Sequence, residues 1–277
     1  MTQDAQLEWE RRNGRWAAAA AALSIVFLIA GTAYRLAAVP AADNDRELLR
    51  LIDEQGSDFV ISGVLQGLSL LFLAGVLVYL YRVIRHRRPE MHPVALVVGV
   101  LGPVLLASGS VLLQLDRIEA ADEFFASGSR TEGRAEDQLR EVSVASQVTG
   151  GAGQLSTAIA FVLIGLNGLR SGVLSRFMGV LGVIIGGLYV LPLVPGGQLI
   201  LQVFWLGALA LLFLDRWPGG RGPAWETGEP DPWPSTAERR GLGSPPEEPD
   251  PEAARAEQAE QPVEPAARKK KKRKKRR

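Results

Sequence analysis

Long apolar blocks separated by polar gaps dominate the pattern of the chain. Six runs of 17 to 23 residues are almost entirely apolar: 17–39, 59–81, 93–115, 148–169, 177–194 and 198–214. A helix needs about 20 residues to cross a hydrocarbon core of about 30 Å. Because backbone groups in lipid must be bonded within their own segment, these runs predict helices, whereas barrel strands would alternate. The predicted fold class is all-α, a polytopic bundle of six transmembrane helices.

Two of the runs need separate comment. The last two runs are only 18 and 17 residues long, and Pro195, Gly196 and Gly197 alone separate them. We interpret them as a tight helical hairpin, with a re-entrant pair as the alternative. The first run follows basic residues but is long for a signal peptide, and no small-x-small cleavage site occurs near Val39. It is therefore expected to remain as an uncleaved first span.

The basic residues of the loops predict the orientation. Arginines occupy segment 1–16 and the loops after spans two and four, whereas 41–58 and 116–147 are acidic. Since basic loops remain on the cytoplasmic side, both termini are predicted to be cytoplasmic. The usage of Arg and Ala and the lack of an organelle signal point to a bacterial plasma membrane. The long acidic segment is interpreted as a solvated connector in which Ser129 to Glu132 matches a helix capping box. Its residues 116–126 are suited to prolong span three, with a break at 127–129.

The composition changes abruptly after the last span. Eleven of the 17 prolines follow residue 215, and aliphatic periodicity disappears. Such a segment buries too little apolar surface to order itself, so 215–277 is predicted to be a disordered cytoplasmic tail. Trp217, Trp225 and Trp233 recur every eight residues, which leaves room for a short interfacial stretch before the disorder begins.

A run of ten basic residues ends the chain and contains all of its lysines. Its members are Arg268, Lys269, Lys270, Lys271, Lys272, Arg273, Lys274, Lys275, Arg276 and Arg277. The net charge of +1 hides this run, because without it 21 basic residues face 30 acidic ones. At about 1 kcal/mol per basic residue near an anionic leaflet, part of the run suffices to hold the tail on the inner membrane surface. Nucleic acid or the ribosome is the alternative partner.

Chemistry-bearing residues are scarce in the spans. Their only charged side chain is Arg35, which is expected to reach water or to meet Asp43 or Asp45. Cysteine is absent from the chain, and His86 and His92 lie in or beside a short loop. Because buried ionisable groups are the usual marks of intramembrane chemistry, we expect a protein that is not an enzyme, with no catalytic, cofactor-binding or metal-ligating residue.

Uncharged polar residues are the remaining candidates inside the membrane. Gln66, Gln114, Gln154 and Asn167 lie in spans two, three and four. Amides at such positions usually form hydrogen bonds between helices, and lining a cavity for a neutral solute is the alternative. Glycines indicate close helix contacts in spans two and five: Gly63, Gly67, Gly179, Gly182 and Gly186. Their spacing does not distinguish contacts within one bundle from a dimer interface, so it predicts no oligomeric state.

In segments 165–172 and 174–182 a Leu-x-Arg-aromatic step opens a penultimate helix with spaced glycines. Over 165–214 this pattern resembles a family of uncharacterised bacterial six-helix membrane proteins of the domain-of-unknown-function type. The resemblance implies the same architecture and no activity. The function predicted from the sequence is therefore that of a non-enzymatic scaffold or regulatory membrane protein whose tail engages anionic partners; the alternative is a facilitator for a small neutral solute.

Overall fold

The computed structural model describes residues 2–126, 128–141, 143–191, 196–218 and 220–234. These residues form helices and no strand: α1 Gln3–Ala38, α2 Asp45–Arg87, α3 Val94–Ala126, α4 Glu132–Arg140, α5 Val144–Arg170, α6 Arg176–Val190, α7 Gly197–Phe213 and α8 Ala224–Thr227. The basic run 268–277 lies outside the described residues.

Four of the described helices, α1, α2, α3 and α5, are long and apolar enough to cross a membrane. The apolar helices α6 and α7 have 15 and 17 residues, which gives lengths of about 22 and 26 Å. The prediction of an all-helical membrane protein is therefore confirmed. The count of six crossings and the orientation of the termini stay predictions and are taken up below.

Six helices close into a ring. Helix α1 packs on α2, α2 on α3, α3 on α5 and α5 on α6, and α7 contacts both α6 and α1. The half of the ring that contains the end of α2 and the end of α5 is filled by apolar side chains that are fully buried. Among them are Leu77, Phe161, Ile164 and Trp205. The indole nitrogen of Trp205 donates a hydrogen bond to the Met178 carbonyl oxygen at 3.0 Å, which joins α7 to α6. This half of the bundle is a solid core.

The glycines of the predicted packing faces lie where helices cross within this chain. A Cβ atom on Gly63 would stand 2.8 Å from the Ser110 carbonyl oxygen of α3, and Gly67 faces Ala107 on the same helix. Gly179 and Gly186 meet α5 in the same way, with Gly165 and Ala158 opposite, and Gly182 lies beside the Trp205 ring and Gly165. These contacts are intramolecular, an assignment that glycine spacing alone did not allow.

The acidic connectors agree only in part with the prediction: residues 116–126 prolong the third span, as the sequence allows, but the connectors are not simply solvated. Residues 45–58 of α2, residues 116–126 of α3, and α4 pack together into what we call the cap. Leu49, Ile52, Phe124 and Ala135 are completely or almost completely buried in it, and they form an apolar cluster separate from the core of the ring. The charges of these segments face outward while their apolar positions meet, so the connectors form a small helical layer.

The helix starts in the cap also differ in part from expectation. The predicted capping box at Ser129 is wrong, because α4 begins after Thr131, which makes no side-chain capping bond. Helix α5 is a separate helix that begins at Val144, where the Ser143 hydroxyl accepts a hydrogen bond from the Ser146 N–H. A true cap occurs on α2, where the Asn44 side chain accepts from the Glu47 N–H at 2.9 Å.

The segment that follows α7 corrects the predicted start of the disordered tail. Residues 216–218 and 220–233 pack on the core, with Trp225 almost fully buried and Trp217 and Trp233 partly buried against the same cluster. Each indole buries a large apolar area, and this burial stabilises a segment whose proline-rich composition predicts disorder. Ordered structure therefore extends some 20 residues beyond the predicted boundary at residue 214.

Candidate functional site

A cavity of about 500 Å³ lies inside the ring, in the half next to the cap. All six helices of the ring contribute to its walls. Its polar lining consists of Gln66, Ser69, Ser110, Gln114, Ser146, Gln147, Tyr189, Gln198 and Gln202, and its apolar lining includes Leu28, Leu70, Leu106, Leu113 and Leu199. The volume falls within the range of about 300 to 1,000 Å³ that is typical of pockets for small molecules.

The lining residues contain amides and hydroxyls and no ionisable carboxylate, imidazole, ammonium or guanidinium group. The Tyr189 hydroxyl lies 3.0 Å from the amide oxygen of Gln202, and the Ser110 hydroxyl lies 3.0 Å from the Gly63 carbonyl oxygen. The amide of Gln114, in contrast, has no hydrogen-bond partner among the described residues. An amide in a partly apolar wall is stabilised when a ligand or water completes its bonds.

The two ends of the cavity differ. Toward the solid half of the bundle it stops at the layer of buried side chains around Leu73, Phe161 and Trp205. At the other end it is lined by Gln147 near the start of α5 and by Gly196 before α7. A second pocket, within the cap, shares Gln147 and is bordered by acidic side chains and one basic one: Asp116, Glu119, Glu123, Glu141 and Arg140. The two neighbouring pockets thus differ in charge: the cap pocket is acidic, whereas the cavity is lined by uncharged groups.

The structure brings together two of the four predicted membrane-embedded polar residues. Gln66 and Gln114 line the cavity. Gln154 instead donates a hydrogen bond to the Tyr189 carbonyl oxygen across the α5–α6 contact, and Asn167 donates to the Leu163 carbonyl oxygen of its own helix at 2.8 Å. Gln154 therefore forms the bond between helices that the packing interpretation expects, and Asn167 bonds its own helix. Gln66 and Gln114 line the cavity instead.

Sequence reasoning missed most of the cavity wall. Gln198 and Gln202 are four residues apart in an otherwise apolar helix, and Ser110 and Gln114 have the same spacing in α3. Residues at this spacing lie on one helix face. Two apolar helices thus each have a pair of polar residues on one face. This pattern was the signal in the sequence for a polar cavity wall.

A second polar cluster closes the opposite end of the bundle. Arg87 ends α2 and forms a two-pronged ion pair with Glu10 of α1, with N···O distances of 2.8 and 3.0 Å. The two side chains are 0% and 2% exposed. Arg87 also donates to the Val83 and Ala224 carbonyl oxygens, and Gln6 donates to the Glu10 carboxylate. The pair is thus surrounded by the additional hydrogen bonds that a buried ion pair requires.

The segment after α7 completes this cluster. The Arg87 guanidinium lies 5.5 Å from the Trp225 ring centroid, and the Trp225 indole donates to the Val173 carbonyl oxygen at 2.9 Å. The Trp233 indole donates to the Gly172 carbonyl oxygen at 2.8 Å, and Arg221 donates to the Leu212 carbonyl oxygen at the same distance. We call Glu10, Arg87, Arg221, Trp225 and Trp233 the clasp. It joins the first helix, the end of α2 and the end of the described chain.

Apolar helices long enough to cross a bilayer, arranged around an uncharged polar cavity, define a helical membrane protein. The chain belongs to the family of the domain of unknown function DUF4386, whose model matches residues 17–214. No curated protein and no solved structure matches the chain. The matched region contains the apolar part of the ring and the cavity, whereas Glu10 and the C-terminal part of the clasp lie outside it.

Proposed function

We propose that this protein crosses the membrane six times with both termini in the cytoplasm, and that it binds a small uncharged molecule in the cavity. The observation that most favours this function is a described lining of amides and hydroxyls without a charged group, in which the Gln114 amide has no partner among the described residues. Such a lining suits a molecule with both hydrogen-bond donors and acceptors on an apolar framework.

The clasp supports an even number of crossings. Glu10, near the beginning of the chain, and Ala224, near the end of the described part, both contact Arg87. Helix α6 runs antiparallel along α5 from the Gly165–Gly179 contact to the Gln154–Tyr189 hydrogen bond. Helix α7 then returns, so that the Phe213 carbonyl lies next to Gly14. These contacts favour two short crossings over a re-entrant pair, and the arginine-rich loops support a cytoplasmic position for the clasp end.

Binding is favoured over free conduction. The cavity occupies the cap half of the ring, and the clasp half is filled by buried side chains such as Leu77, Ile164 and Trp205. A facilitator would need this layer to open, since a close-packed interior does not pass a solute. We therefore rank ligand binding, as by a regulatory membrane protein, above facilitated passage of the same class of solute.

We propose that the protein is not an enzyme. Amides and hydroxyls without a neighbouring carboxylate or imidazole are poor proton donors and acceptors at neutral pH. The polar groups of the cavity can orient a molecule, and they offer no general acid or base in the described lining.

Native mass spectrometry of the purified protein tests the binding proposal. Gln114→Trp would fill the cavity, whereas Leu211→Trp adds the same side chain at a position that is 42% exposed on the surface of the bundle. The wild-type protein and Leu211→Trp are expected to retain a small neutral molecule that Gln114→Trp loses. If all three proteins carried the same amount of bound small molecule, or none carried any, binding in the cavity would be contradicted. Glycerol and urea permeability of proteoliposomes, compared with protein-free vesicles, would test the facilitator alternative.

A second function is supported by the basic run alone. We propose that residues 268–277 hold the tail on an anionic surface, with lipid headgroups as the first candidate and nucleic acid as the second. Deleting the run should abolish binding of the purified protein to a phosphatidylglycerol-coated surface while leaving the mass of any cavity-bound molecule unchanged. If the deleted protein binds as the full chain does, the tail has no such role.

A further inference from the structure

A pocket of about 340 Å³ lies between the first turns of α1 and the last turns of α2, at the clasp end of the bundle. Two aromatic rings, two guanidinium groups, an imidazole and an amide line it: Gln6, Trp9, Tyr81, Arg82, Arg85 and His86. The three basic residues are three and four positions apart, so they lie on one face of α2. One wall of the pocket is therefore basic.

Aromatic rings position both arginines of this wall. The Arg82 guanidinium carbon lies 5.7 Å from the Trp9 ring centroid, and the same distance separates Arg85 from the Tyr81 ring. Arg85 also donates a hydrogen bond to the Tyr81 hydroxyl. Tyr81 is only 4% exposed, and the Trp9 ring stacks on Tyr79. Since the rings are held by the bundle, less conformational entropy is lost when a ligand binds the two guanidinium groups.

The described lining of this pocket contains no carboxylate. Glu10, which accepts a hydrogen bond from Gln6, is held by the buried Arg87 of the clasp. Arg82 and Arg85 form no ion pair with any described residue. The pocket of the cap also contains an arginine, but carboxylates surround it there. The positive charge of the α1–α2 pocket is thus available to an anion.

The position of the pocket along the helices indicates what kind of anion reaches it. Tyr81 is the last residue of the second apolar run, and Arg82 follows directly. Tyrosine and tryptophan are enriched where the hydrocarbon meets the lipid headgroups. Arg82 and Arg85 are exposed on the surface of the bundle, so a headgroup can approach them from the side. Guanidinium groups match phosphate oxygens with two parallel hydrogen bonds.

We propose that Arg82, Arg85 and His86 bind a phosphate group, supplied by an anionic lipid headgroup or by free phosphate in solution. The imidazole of His86 adds a third hydrogen-bond donor on the same helix face. The site is distinct from the uncharged cavity and from the basic run 268–277, and it does not depend on what either of them binds. Basic pockets between transmembrane helices are a recurrent way to recognise anionic headgroups.

Thermal unfolding of the purified full chain in a neutral detergent tests this proposal. The probes are inorganic phosphate, phosphatidylglycerol in mixed micelles, and phosphatidylcholine as the reference without net charge. The proteins are the wild type, Arg82→Gln/Arg85→Gln and the control Arg12→Gln/Arg176→Gln, which removes two exposed arginines that do not line this pocket. A ligand that binds only the folded protein raises its unfolding midpoint. The basic tail is present in all three proteins, so its effect is common to them.

We expect phosphatidylglycerol to raise the midpoint of the wild type and of the control above the value in phosphatidylcholine, and the Arg82→Gln/Arg85→Gln variant to lose more than about half of that increase. An equal response to inorganic phosphate would identify a free anion as sufficient, whereas a response to the lipid alone would identify the headgroup. If the double variant did not fold, Arg82→Gln and Arg12→Gln would be compared in the same way.

Three results would overturn the proposal. The variant of the pocket could keep half or more of the increase, which would mean that its arginines serve only the orientation of the chain. The control could lose as much as the variant, which would assign the effect to net charge. The wild type could be indifferent to both phosphatidylglycerol and phosphate.

Discussion

The clasp and the cavity lie at opposite ends of one ring of helices and use their polar groups in opposite ways. In the clasp, Arg87 has two carboxylate oxygens, two backbone carbonyls and an aromatic face around it, and almost none of it reaches solvent. In the cavity, the Gln114 amide has no described partner, and space for a molecule remains beside it. The difference indicates that one end holds the structure together while the other is available for exchange.

The largest effect is expected from breaking the clasp. Arg87→Met leaves the Glu10 carboxylate buried without its partner, which should lower the free energy of unfolding by about 3 to 5 kcal/mol. Arg88→Met is the matched control, because Arg88 pairs with Glu90 at the surface and should cost less than about 1 kcal/mol. The measurement is chemical unfolding in detergent micelles.

A double substitution separates the charge from the packing. Glu10→Leu combined with Arg87→Met replaces the pair by apolar groups and should recover much of the loss seen with Arg87→Met alone. If the double variant were as unstable as the sum of the two single ones, the hydrogen bonds to Ala224, and not the uncompensated charge, would account for the effect.

The next effect concerns the attachment of the C-terminal segment. Gly172 has a φ of +73°, and a Cβ atom there would overlap the Asp231 carbonyl oxygen. Gly172→Ala should therefore displace residues 220–233 and cost about 1 to 2 kcal/mol from backbone strain alone. Proteolysis after residue 218 should become faster. Gly187→Ala, where nothing lies within 4 Å of the added atom, should leave the rate unchanged.

A smaller and asymmetric effect is expected in the cavity. Gln202→Leu removes the acceptor of the buried Tyr189 hydroxyl and should cost about 1 to 3 kcal/mol. Gln114→Leu removes an amide without a described partner, so it should be neutral or slightly stabilising in the absence of ligand. If both substitutions lowered the free energy of unfolding equally, the inferred difference between the hydrogen-bonded amide of Gln202 and the amide of Gln114 would be contradicted.

The smallest effect is a dependence on pH at the surface beside the clasp. The Glu90 backbone N–H and the Arg88 side chain lower the pKa of the Glu90 carboxyl below its ordinary value of 4.5. A lowered pKa in the folded state means that this contribution is complete above pH 4.5 and disappears as the pH falls through the lower value. Glu90→Gln should lower the unfolding midpoint slightly at pH 7 and not at pH 3. The same difference at both pH values would contradict the assignment.

The spans were predictable because lipid imposes one strong constraint, that the backbone bonds itself within long apolar runs. The clasp was not. Arg87 reads as one of several loop arginines, and only the meeting of α1, α2 and the segment after α7 shows that it is the buried one. Trp225 and Trp233 likewise lie among prolines that predict disorder, and their partners are carbonyl groups some 50 to 60 residues away.

The cavity was partly predictable. Four amides in the spans were candidates. Of two glutamines among them, Gln66 lines the cavity, whereas Gln154 forms a hydrogen bond between helices. The choice depends on the angular position of each residue in the assembled ring, which span prediction does not supply. The cap was missed for a related reason, since its few apolar residues, such as Leu49 and Phe124, form a core only when three segments meet.

The central claim is that the cavity receives a small molecule, which we propose to enter from the side opposite the clasp. Cysteine accessibility tests this most directly because the natural chain contains no cysteine. Gln114→Cys and Asn167→Cys would be exposed in intact cells to a membrane-impermeant cationic methanethiosulfonate reagent. The account predicts rapid labelling of the first variant and none of the second, which lies toward the clasp. Labelling of Asn167→Cys but not of Gln114→Cys, or of neither, would contradict it.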